Sequence, residues 1–117
     1  MTEKQYNDLA KWQQETFPSG TVLSKLAHLQ EEVQELIDEI KGGDYNAALL
    51  EFADCQLLLN GAMASSGLTY ENTCDIVDQK MEINRKRVWA QPDARGVVNH
   101  IKTVKSKADD MDFGDNY

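Results

Sequence analysis

Two acidic pairs embedded in apolar helical patterns limit what this chain can become. Glu32 and Glu35 stand three residues apart, and so do Glu51 and Asp54. Positions i and i+3 of a helix share a face, so each pair presents two carboxylates together. The second pair is the more demanding one. Asp54 lies within Leu49, Leu50, Phe52, Ala53, Cys55, Leu57, Leu58 and Leu59, a run that reads as core. Leaving a polar group unpaired there would cost roughly 2–7 kcal/mol, and more for a charge. Neither acidic stretch contains Arg, and Lys25 and Lys41 lie near the ends of theirs. A hard divalent cation, held by four carboxylates from two antiparallel helices, would remove that cost.

The surrounding pattern predicts four helices. The first is expected from about Thr2 to Phe17, with Thr2 as N-cap, Lys4 and Gln5 as less usual first-turn residues, and Tyr6, Leu9, Ala10, Gln13 and Phe17 on one face. Trp12 falls off that stripe, as an exposed or oligomer-contact residue or as a wall of a base pocket. After the breaker Pro18-Ser19-Gly20, a second helix is expected from Thr21 to Lys41, ending at Gly42-Gly43. His28, Glu32, Glu35 and Glu39 flank its apolar stripe, whereas Glu31 points further round. Either this is a solvated acidic face, or it awaits a counter-ion, because like charges at that spacing are mildly destabilising.

Asp44 can cap a third helix running to about Ser66, apolar over much of its circumference and expected to be the central, most buried one. The short Gly42-Gly43 turn forces helices two and three to pack antiparallel, bringing Glu32 and Glu35 towards Glu51 and Asp54. Thr69 can cap a fourth helix, expected to reach Trp89. Lys80, Asn84 and Arg87 follow at i, i+4 and i+7, and this stripe suits either a solvated helix end or a phosphate chain. Trp89 can pack a helix end or stack on a base. Gly96 to Ile101 reads as a short strand or a turn folded over the site. Residues 109–117, with four Asp and no Lys or Arg, read as an acidic tail to a single domain over 1–108.

Composition narrows the function classes. A formal net charge of −8 argues against a nucleic-acid polymer as partner, yet permits an anionic ligand bridged by metal ions. No apolar run approaches the ~20 residues of a membrane span, and no signal segment is evident, so the expectation is a soluble intracellular protein. Cys55 and Cys74 are expected to be buried, reduced thiols. No glycine-rich phosphate loop is present, and the strand-poor sequence disfavours an α/β fold.

Taken together, these residues resemble the MazG-like all-α nucleoside triphosphate pyrophosphohydrolases. The family pattern E-E-x-x-E, spacer, E-x-x-D is met by Glu31, Glu32 and Glu35, then Glu51 and Asp54, with fifteen residues between Glu35 and Glu51. His28-Leu29, Gln56-Leu57-Leu58-Leu59, Lys80, Ile83-Asn84, Arg87, Trp89, Pro92, Gly96 and His100 look like the dATP/dGTP diphosphohydrolase branch, with the phage MazZ-type enzymes close by. The similarity covers about Phe17 to Ile101. It implies a four-helix bundle with antiparallel metal-binding helices and a C-terminal extension. It implies that Glu32, Glu35, Glu51 and Asp54 bind two or three Mg²⁺ or Mn²⁺ ions, with Glu35 or Glu32 as general base. It further implies that Lys80, Asn84 and Arg87 hold the phosphates, with Trp89 and His28 also at the substrate.

The reaction so implied converts a (deoxy)nucleoside triphosphate, purine by branch (dGTP or dATP), to the monophosphate and pyrophosphate in a homodimer or homotetramer. Two rival readings remain. One is a non-enzymatic helical oligomerisation module. The other is a house-cleaning hydrolase of modified nucleotides or diphosphates. A di-iron carboxylate bundle is disfavoured because its Glu-x-x-His repeats are absent.

Overall fold

The structure, a computed structural model, describes residues 1–102 of the 117. The acidic tail read from the sequence lies outside the described residues. Four helices follow one another: α1 Glu3–Thr16, α2 Val22–Gly42, α3 Tyr45–Ser65 and α4 Tyr70–Arg85. Two short strands, β1 Val88–Trp89 and β2 His100–Ile101, complete an otherwise all-α fold. No helix among the described residues is long and apolar enough to cross a membrane. The chain divides into two compact units, Met1–Thr73 and a second beginning at Cys74.

Each helix start is written in side chains. Thr2 Oγ1 accepts from the Gln5 amide at 3.1 Å, and Gln5 Oε1 accepts from the Thr2 amide at 2.8 Å, a reciprocal capping box. Gln5 is therefore well suited to the first turn, contrary to the expectation from its position alone. Thr21 and Ser24 repeat the arrangement for α2 at 3.0 and 2.8 Å. Asp44 Oδ1 accepts from Ala47 N for α3, and Thr69 with Asn72 caps α4. Between α2 and α3, Gly43 adopts the left-handed conformation (φ 77°) and donates to Ile40 O, while Asp44 N donates to Glu39 O. That closure returns the chain at once, and α2 and α3 pack against each other extensively.

In the first unit, α1 supplies much of the core. Tyr6 (2% exposed) and Leu9 are buried with Ala48 and Ala62 of α3, and Tyr6 Oη donates to Leu68 O at 2.6 Å. Gln13 is buried too, and its Nε2 donates to Gly61 O at 2.9 Å and to Ser65 Oγ at 3.2 Å. Small residues on α3 admit this polar clamp: a Cβ at Gly61 would run into Gln13 Oε1.

Helix α3 departs from expectation. Ala48, Gly61 and Ala62 are its buried residues, while Leu49 (66% exposed), Leu50 (72%) and Phe52 (55%) face outward with Leu57 and Leu59. A helix apolar on all sides can turn only one side to a single neighbouring layer, so one chain does not bury it. Cys74 is likewise exposed and Cys55 half-buried, and both are free thiols. Burial, with the charges of Glu32, Glu51 and Asp54, pushes the Cys55 thiol up, which keeps it protonated.

In the second unit, α4 stops at Arg85 instead of reaching Trp89. Its last turn tightens as Lys86 N and Arg87 N donate to Ile83 O and Asn84 O, three residues back. Val88 and Trp89 then pair antiparallel with Ile101 and His100. Asp93 closes the intervening loop: Oδ1 accepts from Arg95 N at 2.8 Å and Val97 N at 2.9 Å, with Gly96 left-handed (φ 80°). The alternative of a short strand from Gly96 to Ile101 is thus met at His100–Ile101.

The Gln13 clamp is testable. Gly61→Ala should destabilise the chain by about 1–3 kcal/mol, as overpacking does, in urea or thermal unfolding. Wild-type stability in that variant would show that Gln13 moves aside freely.

Candidate active site

The α2–α3 hairpin brings together three of the four predicted acids. One carboxylate oxygen each from Glu32, Glu35 and Glu51 lies within 4.8 Å of the others. Three negative charges cannot share that space without a proton or a cation. Glu51 and Glu32 hydrogen-bond to each other, and this contact, followed by burial and the charges of Glu32, Glu35 and Asp54, pushes the Glu51 carboxyl up to about 7. The same hydrogen bond holds Glu32 below its ordinary value, with Glu35 and His28 adding hydrogen bonds. The charge of Glu32 raises Glu35. His28 Nε2 stands 3.0 Å from Glu32 Oε1, one turn along α2.

Glu51 Oε2 is buried and finds no hydrogen-bond partner among the described residues. Such an atom costs free energy unless something meets it. Hard carboxylate oxygens converging around it form a donor set that suits Mg²⁺ or Mn²⁺. Asp54 behaves differently from expectation. It is exposed, because the apolar residues around it are themselves exposed in the single chain, and it stands outside the three-carboxylate cluster. Burial therefore gives no reason for Asp54 to require a partner; that reason belongs to Glu51, one turn earlier.

Beside the acids opens a cavity of about 780 Å³ within the first unit. Glu32, Asp54 and His28 line it along with Trp12, Phe17 and Lys25. Trp12 is 54% exposed and meets Phe17 edge-on, ring centroids 5.3 Å apart at 88°. Trp12 is thus both exposed and a cavity wall. The sequence reading left Phe17 and Lys25 out of the site. The signal for Lys25 was its register, since Lys25, His28 and Glu32 follow at i, i+3 and i+7 on α2.

The remaining expected residues are organised within the second unit. Lys80 and Asn84 lie on α4, whereas Arg87 lies beyond its end, so the expected helical stripe is broken after Asn84. Asn84 ties the others down: its Oδ1 accepts from Arg87 Nη1 at 3.1 Å, and its carbonyl accepts from Trp89 Nε1 at 3.0 Å. Trp89 also meets the His100 ring edge-on at 6.0 Å. Trp89 is thus a strand residue with its indole N–H engaged, not the end of a helix.

Fold and carboxylate cluster together define an all-α nucleotide pyrophosphohydrolase. The model of the dATP/dGTP pyrophosphohydrolase family matches residues 5–110, and the chain belongs to that family, whose enzymes act on nucleotide phosphoanhydride bonds. Among solved structures, the chain is similar to a cyanophage S-2L MazG-like pyrophosphohydrolase, which is bound to dGDP and three catalytic Mn²⁺ ions per active site. The two are 26% identical with a TM-score of 0.71, over 87% of this chain and 99% of the other. A search of curated proteins finds no match.

The shared proton gives a pH signature. Between the ordinary carboxyl value of 4.5 and about 7, the folded chain keeps on Glu51 a proton that the unfolded chain has lost. Stability in metal-free buffer should therefore fall as pH rises through 7. The lowered Glu32 acts with the opposite sign, but only below its ordinary range, outside this window. Melting temperatures at pH 5 to 8 should decline in the wild type and decline less in Glu51→Gln, where the raised Glu35 still acts in the same direction. Equal slopes in both would remove Glu51 as the proton holder.

Proposed function

We propose that the protein hydrolyses purine deoxynucleoside triphosphates, dGTP or dATP, to the monophosphate and pyrophosphate, using Mg²⁺ or Mn²⁺. The observation that carries this is the convergence of Glu32, Glu35 and Glu51 around a buried, unpartnered carboxylate oxygen. Support comes from the family's description and from the dGDP and three Mn²⁺ ions of the cyanophage enzyme.

In this reading Glu32, Glu35, Glu51 and Asp54 hold the cations. Divalent cations in such a site supply charge neutralisation to phosphate oxygens and lower the pKa of water. Glu35 or Glu32 takes the proton of the attacking water. His28 orients Glu32 through their hydrogen bond. Lys80 and Arg87 offset charge on the leaving pyrophosphate, and Asn84 keeps the Arg87 guanidinium in place. Trp89 braces that group at the substrate through its bond to Asn84.

The working unit in this reading is a homodimer or homotetramer. The outward apolar residues Leu49, Leu50, Phe52, Leu57 and Leu59 of α3 support it, since a contiguous exposed apolar face marks an interaction surface.

A panel of the common NTPs and dNTPs, with Mn²⁺ or Mg²⁺ and with chelator, tests the proposal by chromatography. Purine deoxynucleoside triphosphates should give monophosphate and pyrophosphate only when metal is present. Glu51→Gln and Asp54→Ala should each lose activity by at least about a hundredfold, the scale for removal of one charge-stabilising group. Full turnover in either variant would remove that residue from the metal site.

A further inference from the structure

We propose that Lys25 selects the base, favouring a 6-oxopurine such as guanine over adenine. The inference rests on the proposed nucleotide site and assigns its base-reading group. The cavity is lined by the acids Glu32 and Asp54 and by the aromatic pair Trp12 and Phe17. Its volume of about 780 Å³ is ample for a nucleotide. Lys25 precedes Glu32 by seven residues on α2, which puts both on one face about 10.5 Å apart along the axis at 1.5 Å per residue. With the phosphates at the acids, that distance spans the sugar and reaches the base.

Helical side chains lean towards the N-terminus, and the Lys25 stem runs back to the Phe17–Gly20 turn. A Cβ at Gly20 would stand 2.7 Å from Lys25 Nζ, so the ammonium rests against a residue with no side chain. Lys25 is half-buried and lines the cavity, yet its ammonium makes no ion pair or hydrogen bond among the described residues. In a chain of net charge −8, a half-buried cation without an acid is one whose partner arrives with the ligand.

Of the polar side chains lining the cavity, Gln13 Nε2, Ser24 and His28 are already engaged, and the Thr16 and Ser19 hydroxyls, which can both donate and accept, do not discriminate between bases. Gln13 Nε2 is bonded to Gly61 and Ser65, Ser24 to Thr21, and His28 to Glu32. Trp12 and Phe17 offer faces that any base can stack on, so they do not discriminate. Lys25 can. An ammonium carries three donors and no acceptor. Guanine presents two acceptors, N7 and O6, on the corresponding edge, whereas adenine presents N7 and an amino donor that would oppose the ammonium.

The test compares wild type, Lys25→Met and Gly20→Ala. Steady-state kcat/KM is measured for dGTP, dITP and dATP, and calorimetric Kd for dGMP and dAMP with Mg²⁺. dITP isolates the 6-oxo group because it lacks the 2-amino group. Wild type should prefer dGTP and dITP over dATP, and Lys25→Met should lower both by about tenfold, the scale of one good base-edge contact. Turnover of dATP should not fall, because the ammonium that opposes its amino group is gone, and an unchanged melting temperature shows that the variant is folded. Gly20→Ala, by displacing the ammonium, should shift preference the same way.

A wild-type preference for dATP, an equal loss on all three substrates, or no change in Lys25→Met would overturn the inference. Inert triphosphates with dGMP still bound over dAMP, and that preference lost in Lys25→Met, would overturn the hydrolase reading and uphold this one.

Discussion

The crowding of three carboxylates between α2 and α3 is the constraint around which the first unit is arranged. Glu32, Glu35 and Glu51 repel one another, and nothing local to either helix favours their meeting. Covalent geometry brings them together instead. The Gly43 turn closes with two backbone hydrogen bonds and leaves the hairpin little choice of register. Apolar packing along α2 and α3 then offsets the repulsion, and a proton on Glu51 removes part of it. A fold that concentrates like charge at one place is strained there until a counter-ion enters, and this is how a site stores affinity for cations.

Helix α1 determines how much of α3 remains available. Its contact with α3 is narrow and made through small residues: Ala48, Gly61 and Ala62 let Tyr6, Leu9 and Gln13 approach closely. Apart from the side that packs on α2, the rest of α3 is as apolar as a core helix but faces outward. An apolar circumference is therefore a property of the assembly a helix joins, and one chain supplies only part of the cover. The same reasoning explains Asp54. Its apolar neighbours suggested burial, but they are exposed beside it, and a local run carries no information on whether its own chain covers it.

The acids, the helix count, the caps and the antiparallel hairpin were legible because they depend on short-range rules. Thr21, Asp44 and Thr69 mark helix starts by side-chain chemistry, and Gly42-Gly43 marks a reversal. The β ribbon was less legible. Strands of two residues have no period to detect, and Val88-Trp89 continues the apolar spacing of α4, so the helix seemed to extend through Trp89. What ends it is pairing with His100 and Ile101, partners 11 and 13 residues away from Trp89 and Val88. Gln13 was legible only in part: its register placed it on the core face, but only the facing Gly61 shows that its amide is used for packing.

The charge distribution reconciles an acidic chain with a polyanionic substrate. A net charge of −8 would repel a triphosphate if the acids were spread evenly. Here a share of that charge is gathered in one carboxylate cluster, where bound cations would invert its sign. The cations with assigned roles have their own settings. Arg87 is fixed by Asn84, and Lys25 stands two helical turns from Glu32. In the proposed reaction each group of charges then meets a different part of the nucleotide: the cluster and its cations the phosphates, Arg87 the departing pyrophosphate, and Lys25 the base. Spreading the acids more evenly over α2 and α3 would leave the net charge unchanged but remove that division, so the arrangement, and not the total, is what permits binding.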